Sequence, residues 1–377
     1  MHRRALLSCL LGSALPGSAA AAASSDARAA AAPPLQDAAD VAAAPALRFP
    51  ADFGAHPQSR TEWWYATGTL ESGARLYGFQ ITFFRVTTQV PARHPSRFAA
   101  SQLVFAHAAL TDLEQKRLRH DERIARSGFG IAEAAVGDTH VVLRDWSLDR
   151  SGSVDRSRYR AQLPSGRAGF GFDLQLATTQ PLLLQGIGGL SRKGPRADET
   201  SRYYSQPQLA VTGTLVLDGA SVPVHGRAWL DHEWSDSFLD PQAVGWDWIG
   251  MNLADGSALT AFQLRRRDGS ALYAGGSLRR PGTAARNFAT TEVRFEAGRR
   301  WTSAASNASY PVEWTIETPA GRHHVKTLLD DQELDSRAST GAIYWEGLGD
   351  LLDAAGVRIG RGYLEMTGYA APLKLGA

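Results

Sequence analysis

From Leu47 onward, apolar and polar residues alternate in short runs rather than recurring at every third or fourth position. Alternation with period two marks a half-buried strand, whereas a helix repeats every 3.6 residues. Runs at 67–70, 76–86, 101–111, 139–148, 170–178 and 209–217 are rich in β-branched and aromatic residues. Turn pairs punctuate the chain at Ser72-Gly73, Asp218-Gly219, Asp255-Gly256 and Asp268-Gly269. Only 348–355 has apolar spacing suited to a helix, with Gly356 just beyond it. The pattern predicts an all-β chain built from sandwiches or barrels.

A length of 377 residues suggests two domains. The boundary is expected between 218 and 228, where Asp218-Gly219 turns the chain and a new strand begins at Val222. That assigns 47–218 to an N-terminal barrel and 219–377 to a C-terminal one. Each half holds roughly eight to ten candidate strands, enough for a small closed barrel.

The first residues follow a different pattern. Arg3-Arg4 precede an apolar stretch from Ala5 to Leu15, and small residues follow to Ala23. This is the form of a secretory signal peptide over 1–23, and it predicts a periplasmic or secreted protein. The paired arginines leave a twin-arginine signal open. Leu6-Leu7-Ser8-Cys9 resembles an acylation box but stands too close to Arg4. Cleavage near residue 23 would remove Cys9, the single cysteine, and leave no disulfide. Residues 24–46, rich in Ala and Pro with no aromatic, are expected to be a disordered leader.

A net charge of +2, spread along the chain, offers no basic surface that argues for nucleic acid or acidic lipid. No apolar stretch is long enough for a transmembrane helix.

The chemistry concentrates between Trp229 and Trp248. Four of the ten tryptophans lie there beside Asp231, His232, Glu233, Asp236 and Asp247. Burying an unpaired carboxylate costs several kcal/mol or forces it to take up a proton, so this mixture suggests a site for proton chemistry. On an extended chain, Trp229, Asp231 and Glu233 share one face, and Leu230, His232 and Trp234 the other. Asp231 and Glu233 then stand roughly 6–7 Å apart, near enough to raise each other's proton affinity. The plainer alternative is that Arg227 or Arg265 pairs with one of the acids.

His232 sits among acids and tryptophans, where it could act as acid or base. His107, mid-strand, is placed to face an interior or a domain interface. Tyr203 and Tyr204 offer phenol donors, and Glu62-Trp63-Trp64-Tyr65 repeats the aromatic and acidic mixture upstream. Other chemistries lack their patterns: there is no Gly-x-Ser-x-Gly elbow, Gly186-Ile-Gly-Gly189 lacks a nucleotide-loop context, and His323-His324 would point to opposite faces. Neither metal nor cofactor is expected.

Several motifs together resemble the carotenoid 1,2-hydratase (CrtC)/AttH-like family. They are Phe53-Gly-Ala-His56-Pro, Arg60-Thr-Glu62-Trp63-Trp64-Tyr65, Phe83-Phe84-Arg85, His107 with Thr111-Asp112, Tyr203-Tyr204-Ser205, Trp229 to Trp234, and Gly245-Trp246-Asp247-Trp248. The resemblance implies two lipocalin-like β-barrels packed side by side, secreted or periplasmic; some members are catalogued as predicted secreted hydrolases, and others belong to an ABC-transport gene cluster. It implies, for the hydratase branch, cofactor-free protonation of a terminal isoprenoid alkene, with aromatic rings sheltering the cation. By similarity His232 and Trp234 become site residues, with Asp231 nearby. That branch is expected to carry a Tyr/Asp pair on the strand after the Trp-x-Trp motif, where this chain has Phe262 and Gln263.

The candidate catalytic residues are therefore Asp231, His232, Glu233 and Asp247. The candidate ligand-binding residues are Trp63, Trp64, His107, Tyr204, Trp229, Trp234, Trp246 and Trp248. Two functions stand against each other: a hydro-lyase or hydrolase acting on an apolar isoprenoid or lipid-like molecule, and a carrier serving an ABC transporter. A carbohydrate hydrolase is a third, weaker alternative.

Overall fold

The alternating runs become antiparallel strands in the computed structural model, which describes residues 46–373 except 92 and 238. The expected signal peptide, and all of the leader but its last residue, lie outside the described residues. The first strands are β1 (Thr61–Ser72), β2 (Arg75–Thr87), β3 (Gln102–Asp112) and β4 (Arg117–Arg126). Shorter ones follow: β5 (Ala132–Ala134), β6 (His140–Leu143), β7 (Trp146–Ser151), β8 (Arg158–Ser165) and β9 (Phe170–Ala177). Two brief strands, β10 (Leu183–Leu184) and β11 (Leu190–Arg192), pair with the long β12 (Thr200–Leu217), which turns into β13 (Ala220–Ser235).

These strands form one sheet in the order β4-β3-β2-β1-β13-β12-β9-β8-β7-β6-β5. Its two ends meet through the turn between β4 and β5, where Gly128 bridges Ala132, so the sheet nearly closes into a barrel. Trp64, Phe79, Phe83, Trp146, Leu174 and their neighbours fill its interior.

The second sheet is built from β14 (Ala243–Leu253), β15 (Ala258–Arg266), β16 (Ala271–Arg279), β17 (Arg286–Phe288) and β18 (Arg294–Ala297). A separate small hairpin, β19 (Arg300–Thr302) with β20 (Ser309–Pro311), precedes β21 (Glu313–Thr318), β22 (Gly321–Thr327), β23 (Glu333–Ser336), β24 (Ala342–Leu352) and β25 (Arg358–Met366). The order is β17-β16-β15-β14-β25-β24-β22-β21-β18, with β23 beside β24. The architecture is all-β, as the alternation predicts, and lipocalin-like, as the resemblance implies.

Two sequence expectations change. The boundary expected at 218 falls inside the first sheet, because β13 pairs with both β1 and β12. Asp218 and Gly219 both have positive φ, +50° and +86°. That is the two-residue turn that returns a chain as its own antiparallel neighbour. The first sheet therefore runs to Ser235, and the crossing to the second lies between Ser235 and Ala243. The helix expected over 348–355 is instead the end of β24 and its turn. Its apolar spacing reflects burial on both faces: Leu348 packs between the sheets, and Leu351 lies in the second sheet's core.

The two sheets share a third apolar cluster, made by Tyr65, Trp229, Trp248, Leu348 and Tyr363 among others. Polar bonds fix the same interface. Thr111 Oγ1 donates to Gln332 Oε1 at 2.8 Å, and the Gln208 amide nitrogen donates to Leu253 O and Ser257 O, each at 2.9 Å. Close approach is possible at Gly78, where an added Cβ would come within 2.7 Å of the Tyr363 hydroxyl.

Candidate functional site

Strand β13 presents its two faces to two different environments, because successive side chains alternate across the sheet. Leu230, His232 and Trp234 turn into the first barrel. Trp229, Asp231 and Glu233 turn outward, towards the second sheet. The sequence-predicted cluster is therefore divided.

Inside the first barrel, His232 is fully buried, with Nε2 2.9 Å from Glu62 Oε1 and Nδ1 3.0 Å from the Tyr204 hydroxyl. Trp64 stacks on its ring at 4.5 Å, and Trp234 stacks on His56 at 3.6 Å. Glu62 also holds His56 Nδ1 at 2.7 Å and the buried Arg85 Nε at 2.7 Å. Burial alone would raise the Glu62 proton affinity. Bonds from His232 and His56, with the charge of Arg85, overcome this and keep it a carboxylate.

His56, Glu62 and His232 bring ligand atoms within 4.8 Å of one another, a set able to hold a divalent metal. Arg85 already supplies the counter-charge there, and the network ties the residues before β1 to the barrel. His232, Trp64, Tyr204 and Trp234 thus form one interior assembly, with a wall of sheet between them and Asp231.

The outward face is different. Asp231 accepts hydrogen bonds from the Tyr203 hydroxyl at 2.8 Å, Ser205 Oγ at 2.5 Å and Trp229 Nε1 at 2.7 Å. Burial nevertheless pushes its carboxyl up to about 7, against those three bonds and with help from Glu233. Glu233 pairs with Lys193 Nζ at 2.9 Å.

Facing them are two acids that sequence reasoning did not single out. Glu346 on β24 and Glu365 on β25 are direct cross-strand partners. Like charges in that relation repel, so one of the pair keeps a proton. Enclosure, with the charges of Asp231 and Glu233, pushes Glu365 up to about 7, opposed by a bond from Trp246 and by Lys193. Burial and the Glu365 charge push Glu346 well up, and the Tyr65 hydroxyl beside it only partly opposes this. Both glutamates had a legible signal: Tyr344-x-Glu346 and Tyr363-x-Glu365 repeat the period-two spacing of Trp229-x-Asp231.

Aromatic walls surround these acids. Trp248 meets Tyr65 edge-on at 5.5 Å and Trp229 at 6.3 Å. Trp63 and Trp246 are half-buried against the same cluster. Trp248 can lie over its own strand because residue 250 is glycine: a Cβ there would stand 2.3 Å from its ring. A cavity of about 230 Å³ opens alongside, lined by Tyr203, Phe262, Tyr273, Thr260, Ile187 and Phe288. Lys193 Nζ sits 4.5 Å from the Tyr203 ring and 4.9 Å from the Phe262 ring, joining this cavity to Glu233 and Asp231.

A larger concavity of about 440 Å³ lies on the first barrel, but its lining is charged and open; the four acids line neither cavity, and Lys193 and Tyr203 connect them to the smaller one. The smaller cavity is the one with an apolar wall and convergent polar groups.

Two predicted residues lie elsewhere. Asp247 projects into the second barrel, bound to Arg265 Nε at 2.9 Å, Gln263 Nε2 at 2.8 Å and the Tyr369 hydroxyl at 2.9 Å. Burial raises its proton affinity, with Arg265 opposing, and the neighbours occupy its oxygens. The arginine alternative therefore holds for Asp247, through Arg265. His107 lies between the sheets, held by the Tyr344 hydroxyl and Ser339 Oγ, each at 2.8 Å, and burial drives it down to about 3. It is a neutral interface pin.

The model of the AttH-like family matches residues 40–369. The chain belongs to the AttH-like family. A crystal structure of an AttH-like protein from Nitrosomonas europaea superposes with a TM-score of 0.80 at 47% identity, covering 87% of this chain and 98% of that one. Kievitone hydratase from Nectria haematococca matches with a TM-score of 0.67 at 14% identity, covering 87% and 94%. CghA in complex with Sch210972 matches at 0.50 and 12% identity, covering 82% and 88%. At such identities the last two share the fold alone with this AttH-like chain. No curated protein matches its sequence. Among the described residues no helix is long and apolar enough to cross a membrane.

Proposed function

We propose that the cleft between the two sheets binds an apolar small molecule, isoprenoid or lipid-like, and hydrates it by acid catalysis without a cofactor. The carrying observation is the acid pair Glu346–Glu365, set opposite Asp231 and Glu233 within walls of tryptophan and tyrosine. Two of these carboxyls, Asp231 and Glu365, hold protons up to about pH 7. Asp231 is saturated by its three donors. Glu365 is half-buried at the cleft, and so is the acid placed to meet a ligand.

In the proposed step the Glu365 carboxyl gives its proton to one alkene carbon, and the π bond becomes a tertiary cation on the other. The faces of Trp246, Trp248 and Trp63 stabilise that cation. Water adds through its oxygen, and the released proton returns to the carboxylates, so the net change is addition of one water. Tyr203 and the Lys193–Glu233 pair are placed to orient the water. The hydratase activity named for the Nectria neighbour fits this chemistry. Within the same proposal the protein works outside the cytoplasm, as the basic and apolar start at Arg3 to Leu15 suggests.

A second reading, a non-catalytic carrier handing its ligand to an ABC transporter, is favoured by Phe262, which gives the cavity an apolar wall. Incubation with a polyene carrying a terminal isoprenoid double bond, in heavy-oxygen water, separates the two. Hydration incorporates the label as a tertiary alcohol. Recovery of bound but unlabelled polyene would reject the enzyme and leave the carrier.

A further inference from the structure

We propose that the end of the first barrel bearing Phe98 and Phe129 docks onto the surface of a bilayer containing anionic lipid. Large apolar side chains are displayed here rather than hidden. Phe98 is 77% exposed, Phe129 50%, and Ile124 and Ile131 38% each. The two phenyl rings stack on each other at 5.6 Å, with the Arg126 guanidinium 4.2 Å from one and 5.5 Å from the other. Arg97 lies 5.9 Å from the Phe129 ring.

The backbone supports this display. Gly128, Phe129 and Gly130 all have positive φ, at +101°, +61° and +68°. A bulky residue in that region is strained, and the tight turn projects its ring outward. A soluble surface gains nothing from holding a phenylalanine in this way.

Charge selects the occupant, and here it corrects the expectation that no surface suits acidic lipid: the total charge is small, but this end of the barrel is locally basic. No Asp or Glu occurs in 88–101 or in 123–132, while Arg93, His94, Arg97, Arg123 and Arg126 do. Arg93, Arg97 and Arg126 make no ion pair among the described residues. Aromatic rings flanked by arginines match the boundary between headgroups and acyl chains, where the rings enter the apolar layer and the guanidinium groups meet phosphate.

The patch continues into the cleft. Cross-strand partners form an outward-facing row, Ile124–Phe105–Phe84–Trp63–Glu233, spanning β4, β3, β2, β1 and β13. Phe105 and Phe84 stack at 4.8 Å, and both remain half-buried, as does Trp63. The next row, Glu122–His107–Thr82–Tyr65, is covered by the second sheet through Ser339 and Tyr344. An apolar track thus leads along the rim of the interface from the docking tip to the acids. Its use for substrate delivery rests on the function proposed above; the docking itself does not.

Flotation of the full chain with vesicles tests the docking. Wild type is expected to float with mixed phosphatidylglycerol and phosphatidylcholine vesicles, to release with added salt, and to stay behind with phosphatidylcholine alone. Phe98→Ser with Phe129→Ser, and separately Arg97→Gln with Arg126→Gln, should each weaken binding roughly tenfold. Thermal stability should hold, since Arg97, Phe98 and Phe129 are exposed and Arg126 is only half-buried. Absence of flotation, equal binding to neutral vesicles, or variants binding like wild type would overturn the proposal; capture of an acidic protein with no vesicle binding would do the same. Hydration assayed in detergent, without vesicles, fails or succeeds independently.

Discussion

Glu346 and Glu365 stand directly opposite one another on β24 and β25, on the face turned towards Asp231. Two carboxyls in that relation cannot both ionise cheaply, so the cleft stores a proton at neutral pH. Glu365→Gln should lower hydration by about a hundredfold or more, the usual contribution of a general acid, with ligand affinity little changed. Steady-state rates together with equilibrium binding check this; a variant with wild-type turnover would remove Glu365 from the mechanism.

The same protons give the fold a pH dependence. Asp231 and Glu365 are raised from ordinary values of 3.8 and 4.5 to about 7. A folded state that binds protons more tightly than the unfolded chain is favoured below the unfolded value and loses that advantage as pH rises through the folded one. Thermal stability should therefore fall between about pH 4 and 7, and the slope should flatten in Glu365→Gln. An unchanged slope in the variant would argue that this carboxyl titrates normally.

His107 has the opposite sign. Burial depresses it from 6.5 to about 3, so its contribution is full above 6.5 and is lost as pH falls through 3. Replacing it with alanine removes two buried hydrogen bonds, one to Tyr344 and one to Ser339, and should cost about 1–3 kcal/mol at neutral pH. Chemical denaturation measures this, and a neutral substitution would deny it the role of a pin between the sheets.

Asp247 gives a sharp contrast with Glu365. Asp247→Ala should destabilise the protein by about 3–5 kcal/mol, because Arg265 is left buried without its counter-charge. The Asp247→Asn protein that folds should keep its turnover. Loss of turnover in a folded Asn variant would return Asp247 to the list of catalysts.

Gly250 sets the position of Trp248. Gly250→Ala places a methyl group against the indole ring and should weaken ligand binding while the second sheet still folds. Quenching of tryptophan fluorescence by ligand reads the effect; unaltered affinity would show that the Trp248 pose does not matter.

How far the molecule was legible in its sequence follows from the physics of strands. Period-two alternation exposed the all-β architecture, and it separated Asp231 from His232 correctly, since that rule needs only local geometry. It could not tell which sheet β13 would join, because that depends on long-range pairing; the Asp218-Gly219 turn was the local clue. Resemblance to the AttH-like family carried the fold. The Tyr-x-Glu spacing places Glu346 and Glu365 each beside an aromatic residue, but only the register of β24 on β25 makes them a pair, and that register is a long-range property. Their neighbour Leu348, buried on a strand, also gave a false helical spacing. Asp247 looked equivalent to Asp231 in the sequence and lies across a sheet from the cleft.

The acid mechanism is tested most directly by the protonation state of Glu365 itself. Carboxyl-carbon NMR of protein labelled at the glutamate side chain, titrated in wild type and in Glu365→Gln, reads it without any substrate. A glutamate resonance that titrates near 7 and is missing from the variant is expected. If every glutamate lost by the substitution titrates near the ordinary 4.5, the cleft holds no proton at neutral pH and the acid mechanism is wrong.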